Sequence, residues 1–277
     1  MQLAPVSSTL DTLVNDPNRD AVQARLDALG FEVRSIPETT KSRQPDLLAQ
    51  AEGTTMYVEV KTRSEDRVLR GRMEAVGIGK TDEIVTDLDK HNSISAEVKH
   101  ASSQLCAAAS QQDFRLLWYR ADRGLFVSNT KEQIVSTLYG MRMVLAERPP
   151  FGLRPWYCAF AGHADFFRFR EIDGVIIEAD GLISLFLNPF SPRKGAFMTS
   201  RIARLLGADD AVFNIQRELD EGKLFAADGD APRRNDPELL AHLTVKYPGI
   251  KFIRFLRGVS VTVMTTIDWS KGVSNKE

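Results

Sequence analysis

The chain has 277 residues, of which 43% are hydrophobic and 26% charged, and its formal net charge is -1. These values are typical of a globular protein with one large domain or two modest ones, and they exclude a disordered or strongly basic chain. A charge near zero argues against strong non-specific binding to nucleic acid, although a local basic groove stays possible.

Membrane and secretory classes are excluded in the same way. No apolar run approaches 18 residues, the N-terminus has no charged region followed by a long apolar stretch, and the two cysteines, Cys106 and Cys158, show no metal-binding spacing. We therefore expect no membrane partner, free thiols in a reducing compartment, and a cytoplasmic location.

The first predicted element is a helix that ends near Leu29. Asp16 or Asn15 can cap it, Pro17 suits the first helical position, and Gly30 is its expected stop. Its apolar stripe is Val22, Leu26 and Leu29. The segment Phe31–Ile36 then predicts the first strand.

A hairpin follows, with predicted strands at Asp46–Glu52 and Thr55–Thr62 and a turn at Gly53-Thr54. Side chains alternate along a strand, so one face of the second strand carries Tyr57, Glu59 and Lys61, and the other carries Met56, Val58 and Val60. We expect the apolar face to meet the core.

The register of this hairpin decides whether three charged side chains meet. A two-residue turn at Gly53-Thr54 pairs Leu48 with Glu59 and Asp46 with Lys61, and directly opposed residues share a face. Asp46, Glu59 and Lys61 should therefore converge, whereas a shift of one residue would separate them.

These three residues suit metal-assisted hydrolysis of a phosphodiester. Asp46 and Glu59 offer hard oxygen ligands for Mg²⁺ or Mn²⁺, and the Val60 carbonyl can add a third. Such a cation lowers the pKa of a water and neutralises phosphate charge, while Lys61 can orient the water or stabilise developing negative charge. The alternative is a surface hairpin whose Glu and Lys face water.

The sequence Pro45-Asp46, followed across the hairpin by Glu59-Val60-Lys61, resembles the PD-(D/E)XK nuclease superfamily, which has the restriction-endonuclease-like fold. The resemblance covers residues 16–120 and implies an α/β (α+β) fold with a mixed central sheet flanked by helices. The family order is a helix, three antiparallel strands, a helix and a further strand. The resemblance implies catalytic roles for Asp46, Glu59 and Lys61.

The resemblance also implies supporting residues outside the hairpin. Many members add an acidic metal ligand on the first helix, where this chain offers Asp20 as the better candidate and Asp27 as the other. Some place a Gln or Lys on the helix after the motif, for which Gln104 and Lys99 are the candidates. Each of these could instead lie on a solvated helix face. Arg63, just past the motif, could meet a phosphate or could be an exposed strand end.

An insertion is predicted at residues 64–95, a charged and weakly periodic stretch that could be a lid, a substrate-contacting arm or a solvated loop. After it we predict a helix at Ala96–Gln111, a strand at Phe114–Arg120 and a helix at Lys131–Val144. The first of these helices contains a second Glu-Val-Lys sequence, Glu97-Val98-Lys99, which we interpret as part of its solvent-exposed surface.

The paired prolines after Glu147 predict a boundary between a nuclease-like domain, residues 1–147, and a C-terminal α+β domain, residues 148–277, for target recognition or dimerisation. The second half has a β-rich character. Its predicted strands and helices are strands at Trp156–Phe160, Phe166–Arg170, Gly174–Ala179, Leu182–Leu187 and Val259–Ile267, and helices at Thr199–Leu206 and Ala211–Leu219. Four cations there could contact a phosphate backbone or be ordinary exposed charge: Arg168, Arg170, Arg193 and Lys194.

We therefore expect a metal-dependent nuclease, an endonuclease that uses Mg²⁺ or Mn²⁺, with DNA favoured over RNA by the resemblance alone. A homodimer or a protein partner would fit the C-terminal half. The first alternative is a catalytically silent nuclease-fold module for nucleic-acid binding or complex assembly. The second is an enzyme that acts on RNA or on a nucleotide. Fold alone does not choose among these functions.

Overall fold

The computed structural model describes residues 16–37, 44–63, 75, 81–87, 92–121, 127–179, 181–208, 211–257 and 259–265. The strands in this part of the chain are β1 (Glu32–Ser35), β2 (Leu47–Ala51), β3 (Thr54–Arg63), β4 (Thr81–Asp87), β5 (Phe114–Ala121), β6 (Arg142–Arg148), β7 (Gly152–Ala159), β8 (Gly174–Ala179), β9 (Leu182–Leu187), β10 (Val212–Phe213), β11 (Phe225–Ala226), β12 (Lys251–Leu256) and β13 (Val259–Thr265). The helices are α1 (Pro17–Ala28), α2 (Asn92–Ala108), α3 (Val127–Tyr139), α4 (Asp165–Arg168), α5 (Lys194–Met198), α6 (Arg201–Ala208), α7 (Ile215–Asp220) and α8 (Asp236–Lys246).

The main sheet has seven strands in the spatial order β1-β2-β3-β5-β8-β9-β10. Strands β1, β2 and β3 are antiparallel neighbours, and β3, β5 and β8 run parallel. Strand β9 returns antiparallel to β8, and β10 runs parallel to β9. The predicted mixed α/β class is confirmed, and the sheet combines parallel and antiparallel pairs around β3 and β5.

Helix α1 forms as its sequence predicts. Asp16 is the N-cap, its side chain accepts from the Asn18 backbone N–H at 2.9 Å, and Pro17 opens the first turn. The stripe residues Val22 and Leu26 are fully buried. The helix ends at Ala28, just before Gly30.

Helices cover both faces of the main sheet, and this buries the hairpin on two sides. On one face α1 and α6 pack against the apolar residues of β3, Met56, Val58 and Val60. On the other face α2 and α3 pack over Tyr57, Leu117 and Val175. The face that carries Glu59 and Lys61 therefore also lies against a core, whereas the sequence predicted a core only under the Met56 face.

A second sheet has four strands in the order β11-β7-β6-β12, and α8 packs on it through Leu239 and Leu243. Strand β4 pairs antiparallel with β13 in a separate two-stranded sheet, with Thr81 opposite Thr265. Among the described helices, none is long and apolar enough to cross a bilayer.

The predicted division of the chain does not coincide with a break between sheets. Residue 147 lies inside β6, which pairs with β7, and β5 from the first half pairs with β8 from the second. Within the predicted insertion at 64–95 the structure describes Ala75, strand β4 and the first residues of α2, and the other positions lie outside the described residues.

Several predicted elements are wrong. Residues 166–170 were expected as a strand but contain the short helix α4, and the helix expected at 131–144 ends at Tyr139 and gives way to β6. The helix expected at 211–219 is split into β10 and α7. Of the two cysteines, Cys158 is buried and Cys106 is exposed.

Candidate active site

The hairpin register differs from the predicted one by two residues. Ala51 lies opposite Thr54 and Leu48 opposite Tyr57, so the turn is Glu52-Gly53, with φ of 50° and 73° at these residues. Positive φ at both turn residues is the pattern of tight two-residue hairpins. Because the displacement is an even number, every side chain keeps its predicted face. Continuing the register by one residue places Asp46 beside Glu59 rather than beside Lys61.

Asp46 is held by the neighbouring strand. The Val60 backbone N–H donates to Asp46 Oδ2 at 2.7 Å. Burial raises the pKa of the Asp46 carboxyl, and the Val60 N–H and the nearby Lys61 and Arg19 charges oppose that rise. The partly buried Asp46 carboxylate is therefore fixed just before β2, beside Glu59.

Glu59 is the most unusual group of the site, because its carboxyl is buried and only 1% of the residue is exposed. Lys61 Nζ donates to its Oε1 at 2.5 Å, while Oε2 is buried and has no hydrogen-bond partner in the described structure. Burial, followed by the negative charge of Asp46, raises the pKa of Glu59 to about 7, although Lys61 opposes the rise.

Gln104 approaches the pair from α2. Its Nε2–H donates to the Gln44 carbonyl at 3.0 Å, which fixes the chain just before Pro45-Asp46. The Gln104 amide also lowers the pKa of Glu59, but no hydrogen bond of good geometry joins it to the free Oε2. The structure thus brings the four predicted catalytic residues into one region.

Asp20, the predicted metal ligand on the first helix, is exposed. Among the described residues no group of three or more His, Cys, Asp or Glu side chains is placed to hold a metal ion, so Asp20 does not complete a triad with Asp46 and Glu59. The charges on α1 that do act on Asp46 are Arg19, which is 5% exposed, and Asp16. Spacing could have indicated Arg19, because it lies three residues before Val22 on the buried stripe.

Arg63 and Lys99, predicted to contact nucleic acid, have different surroundings. Arg63 forms a fork with Glu97, whose carboxylate oxygens lie 2.9 Å from Nη2 and 3.2 Å from Nε, and it also donates to Ser93 Oγ at 3.3 Å. Glu97 is therefore partly buried in an ion pair and is not the free surface residue that the sequence suggested. Lys99 is exposed on α2.

Three of the four C-terminal cations contact groups of the protein. Arg193 donates through Nε to both oxygens of Asp173 at 3.1 Å, and this carboxylate is fully buried. Arg168 lies on α4 with its guanidinium 3.2 Å from His163 Nε2, and Arg170 donates to the Phe167 carbonyl at 3.3 Å. Lys194 is exposed at the start of α5. The predicted phosphate contact of Arg193 gains no support, because its donors serve Asp173 and backbone carbonyls.

The residues present fit a divalent cation in two respects. The Glu59 Oε2 atom is buried without a donor among the described residues. Burial raises the pKa of both carboxyls, and the negative charge of Asp46 adds to the rise at Glu59. A cation between Asp46 and Glu59 would relieve both conditions, with the Val60 carbonyl as the further oxygen. Among the described residues the site offers a divalent cation two carboxylates and no third.

The chain matches no protein-family model, and neither curated proteins nor solved structures provide a match.

Proposed function

We propose that the chain is a metal-dependent nuclease that hydrolyses phosphodiester bonds, with DNA as the favoured substrate. The observation that carries the proposal is the buried Glu59 carboxyl, which meets Asp46 on one side and Lys61 at 2.5 Å on the other. A buried Glu with a pKa near 7 and an orphan oxygen is a costly arrangement for a structural hairpin, and perturbed groups of this kind cluster at functional sites.

The order of elements supports the same proposal. Helix α1, the antiparallel strands β1 to β3, helix α2 and the parallel strand β5 occur in the order of a restriction-endonuclease-like core, with strand β4 inserted between β3 and α2. Asp46 lies just before the second of these strands, Glu59 and Lys61 lie on the third, and Gln104 approaches from the helix that follows. We propose that these elements form such a core.

Five residues of the site have a role in the proposed reaction. Asp46, Glu59 and the Val60 carbonyl would hold Mg²⁺ or Mn²⁺, which supplies charge neutralisation at the phosphate and a lowered water pKa. Lys61 is held by Glu59 and keeps donors for a non-bridging phosphate oxygen or for the attacking water. Gln104 is a positioning residue, because its bond to Gln44 fixes the segment that presents Asp46. Burial lowers the local dielectric and strengthens these interactions.

The test is cleavage of supercoiled plasmid and of single-stranded DNA with Mg²⁺ or Mn²⁺, comparing the wild type with Glu59→Gln and Lys61→Ala. We expect cutting by the wild type only, with at least a 100-fold loss in each variant, and no cutting with a chelator.

A matched control comes from Glu221 and Lys223, an ion pair of 2.6 Å that is exposed rather than buried. Glu221→Gln and Lys223→Ala should cut like the wild type. Cleavage that survives both Glu59→Gln and Lys61→Ala would assign the activity to another site or to a contaminant, and no cleavage by the wild type with either metal would remove the proposal.

A binding or assembly module is the second candidate, and one observation favours it. The described residues supply two carboxylates at the site and no third. In that case Glu59 would bind no cation, and Mg²⁺ or Mn²⁺ would leave the melting temperature unchanged while DNA binding persisted.

A further inference from the structure

The tip of the β6–β7 hairpin carries two arginines packed on two aromatic rings. The Arg154 Cζ atom lies 3.9 Å from the centroid of the Trp156 ring and 4.7 Å from that of Phe151. Arg148 Cζ lies 4.9 Å from Trp156 and 5.7 Å from Phe151, and the two rings meet edge to face at 5.8 Å. We call Arg148, Phe151, Arg154 and Trp156 the arginine–aromatic cluster.

The two positive charges of this cluster are not neutralised within the described part of the chain. No salt bridge there joins Arg148 or Arg154 to a carboxylate, in contrast to Arg63 and Arg193. Arg148 donates to the Gly222 carbonyl, which fixes its orientation. Arg154 is exposed, and its guanidinium packs on the two rings and forms no salt bridge with a described residue. The N–H edge of its stacked guanidinium is therefore left for an external acceptor.

The cluster also presents an apolar surface to solvent. The Phe151 residue is 54% exposed at the hairpin tip, whereas Trp156 beneath it is 6% exposed. An exposed ring that is supported from below by a buried indole and flanked by guanidinium groups offers a rigid stacking face. In a chain whose net charge is -1, two neighbouring arginines that form no salt bridge with a described residue are a local concentration of positive charge.

We propose that the arginine–aromatic cluster binds single-stranded nucleic acid, with an unpaired base stacked on Phe151 and a phosphate held by Arg154. Single strands fit because they expose the faces of their bases, whereas a duplex buries those faces in its own stack. A planar guanidinium matches a phosphate by two parallel hydrogen bonds. Binding by this surface follows from the geometry of the cluster. If the chain is the proposed nuclease, single strands or single-stranded arms are also its substrates, and that step rests on the proposed function.

The experiment is fluorescence anisotropy of a labelled oligothymidylate titrated with the full chain in EDTA, so that metal-dependent cleavage cannot contribute. Phe151→Ala and Arg154→Ala should each weaken binding by about fivefold or more. Arg154→Ala should also reduce the slope of log Kd against log salt by about 0.7, the value for one phosphate contact on a single strand. Arg154→Lys should keep the salt slope but lose affinity, because the point charge cannot stack as the planar group does.

Two exposed residues outside the cluster provide matched controls. Leu182→Ala removes an apolar side chain that is 74% exposed, and Arg234→Ala removes an exposed positive charge. Both should bind like the wild type, and all variants should keep its melting temperature within about 2 °C.

Three results would overturn the inference: equal losses in the control variants, tighter binding of a duplex of the same length, or tighter binding of a polyglutamate peptide through the same residues. The proposed nuclease can fail independently. If the oligothymidylate result holds and the wild type cuts nothing with Mg²⁺ or Mn²⁺, the cluster is a binding surface on a protein that is not a nuclease. If cutting depends on Glu59 and the cluster variants bind normally, the nuclease uses another surface.

Discussion

Glu59 has the most strongly shifted carboxyl of the candidate site. Its pKa is raised from 4.5 to about 7, mainly by burial and then by the charge of Asp46. The folded state therefore binds this proton more tightly than the unfolded state, and stability falls as pH rises from 4.5 to 7. Above pH 7 the whole penalty is present, and linkage puts it at about 3 kcal/mol.

Glu59→Gln removes this titration while nearly preserving shape. We expect the variant to exceed the wild type in free energy of unfolding by up to about 3 kcal/mol at pH 8 and to differ little at pH 5. Urea unfolding at both pH values measures the difference, and Glu221→Gln, in an exposed pair, should show no such dependence. An equal difference at pH 5 and pH 8 would mean that Glu59 does not carry a raised pKa.

Cation binding should show the opposite dependence on pH, because metal and proton compete for the same carboxylates. We expect Mn²⁺ to raise the melting temperature of the wild type at pH 8 and to do so progressively less at pH 7 and pH 6. The apparent affinity should fall by about tenfold per pH unit once Glu59 is protonated. Asp46→Asn and Glu59→Gln should abolish the shift. A shift of equal size at pH 6 and pH 8, or one that persists in both variants, would exclude the pair as the binding site.

At the next level, the helices and strands show which predictions depend on local chemistry. The α1 cap at Asp16 and the hairpin turn follow from residues a few positions apart, and both were within reach of the sequence. The turn was misplaced by one residue because Gly53 can occupy either position of a tight turn. The convergence of Asp46, Glu59 and Lys61 tolerated this error, since the resulting shift of two residues preserves side-chain parity.

Other elements depended on signals that were weak or overlooked. The alternating apolar and basic residues at 166–170 fit a short strand and a helical turn equally well, because five residues do not separate the two periods. Gly140 was overlooked as a helix stop. It has a φ of 57°, and a Cβ there would lie 2.8 Å from the Gly162 carbonyl oxygen, so only glycine fits the passage from α3 to β6.

The connection after β9 depends on one buried ion pair. Asp173 is fully buried and accepts from the Arg115 backbone N–H at 2.8 Å, from Ser191 Oγ and from Arg193. Burial raises the pKa of Asp173 in spite of these donors. Arg193→Ala leaves this carboxylate without its cation, and we expect the free energy of unfolding to fall by about 3 kcal/mol.

The neighbouring Lys194→Ala, at an exposed position, should change stability by less than about 0.5 kcal/mol. Adding Asp173→Asn to Arg193→Ala should recover part of the loss, because it removes the unpaired charge. Urea unfolding of the three variants provides the measurement. If Arg193→Ala instead has wild-type stability and binds DNA more weakly, Arg193 is a phosphate ligand and its ion pair with Asp173 is incidental.

In the molecule as a whole, the main sheet joins the two halves of the chain. Strand β5 pairs with β8, and the connection between these parallel strands includes α3, the β6–β7 hairpin and α4. Later in the chain, β11 pairs with β7 and β12 pairs with β6, which completes the four-stranded sheet. Such long-range pairing leaves no trace in the local pattern of hydrophobic residues, so the sequence did not predict that strands would pair across the boundary proposed after Glu147.

The pairing of β4 with β13 links segments that are far apart in sequence, with Thr81 opposite Thr265 and Asp87 opposite Val259. In this two-stranded sheet β13 is the only strand bonded to β4 among the described residues. Removing residues 258–277 should therefore expose the backbone groups of β4, because an isolated strand is not stable in water. We expect thermolysin to cut within Thr81–Asp87 at least tenfold faster in this truncated chain, as followed by mass spectrometry.

A chain that ends at Thr265 keeps β13 and should be cut in β4 at the wild-type rate. Among the described strands, neither β4 nor β13 belongs to the main sheet, so both truncated chains should retain cooperative unfolding. Equal protection of β4 in the two truncated chains would show that its order does not depend on β13.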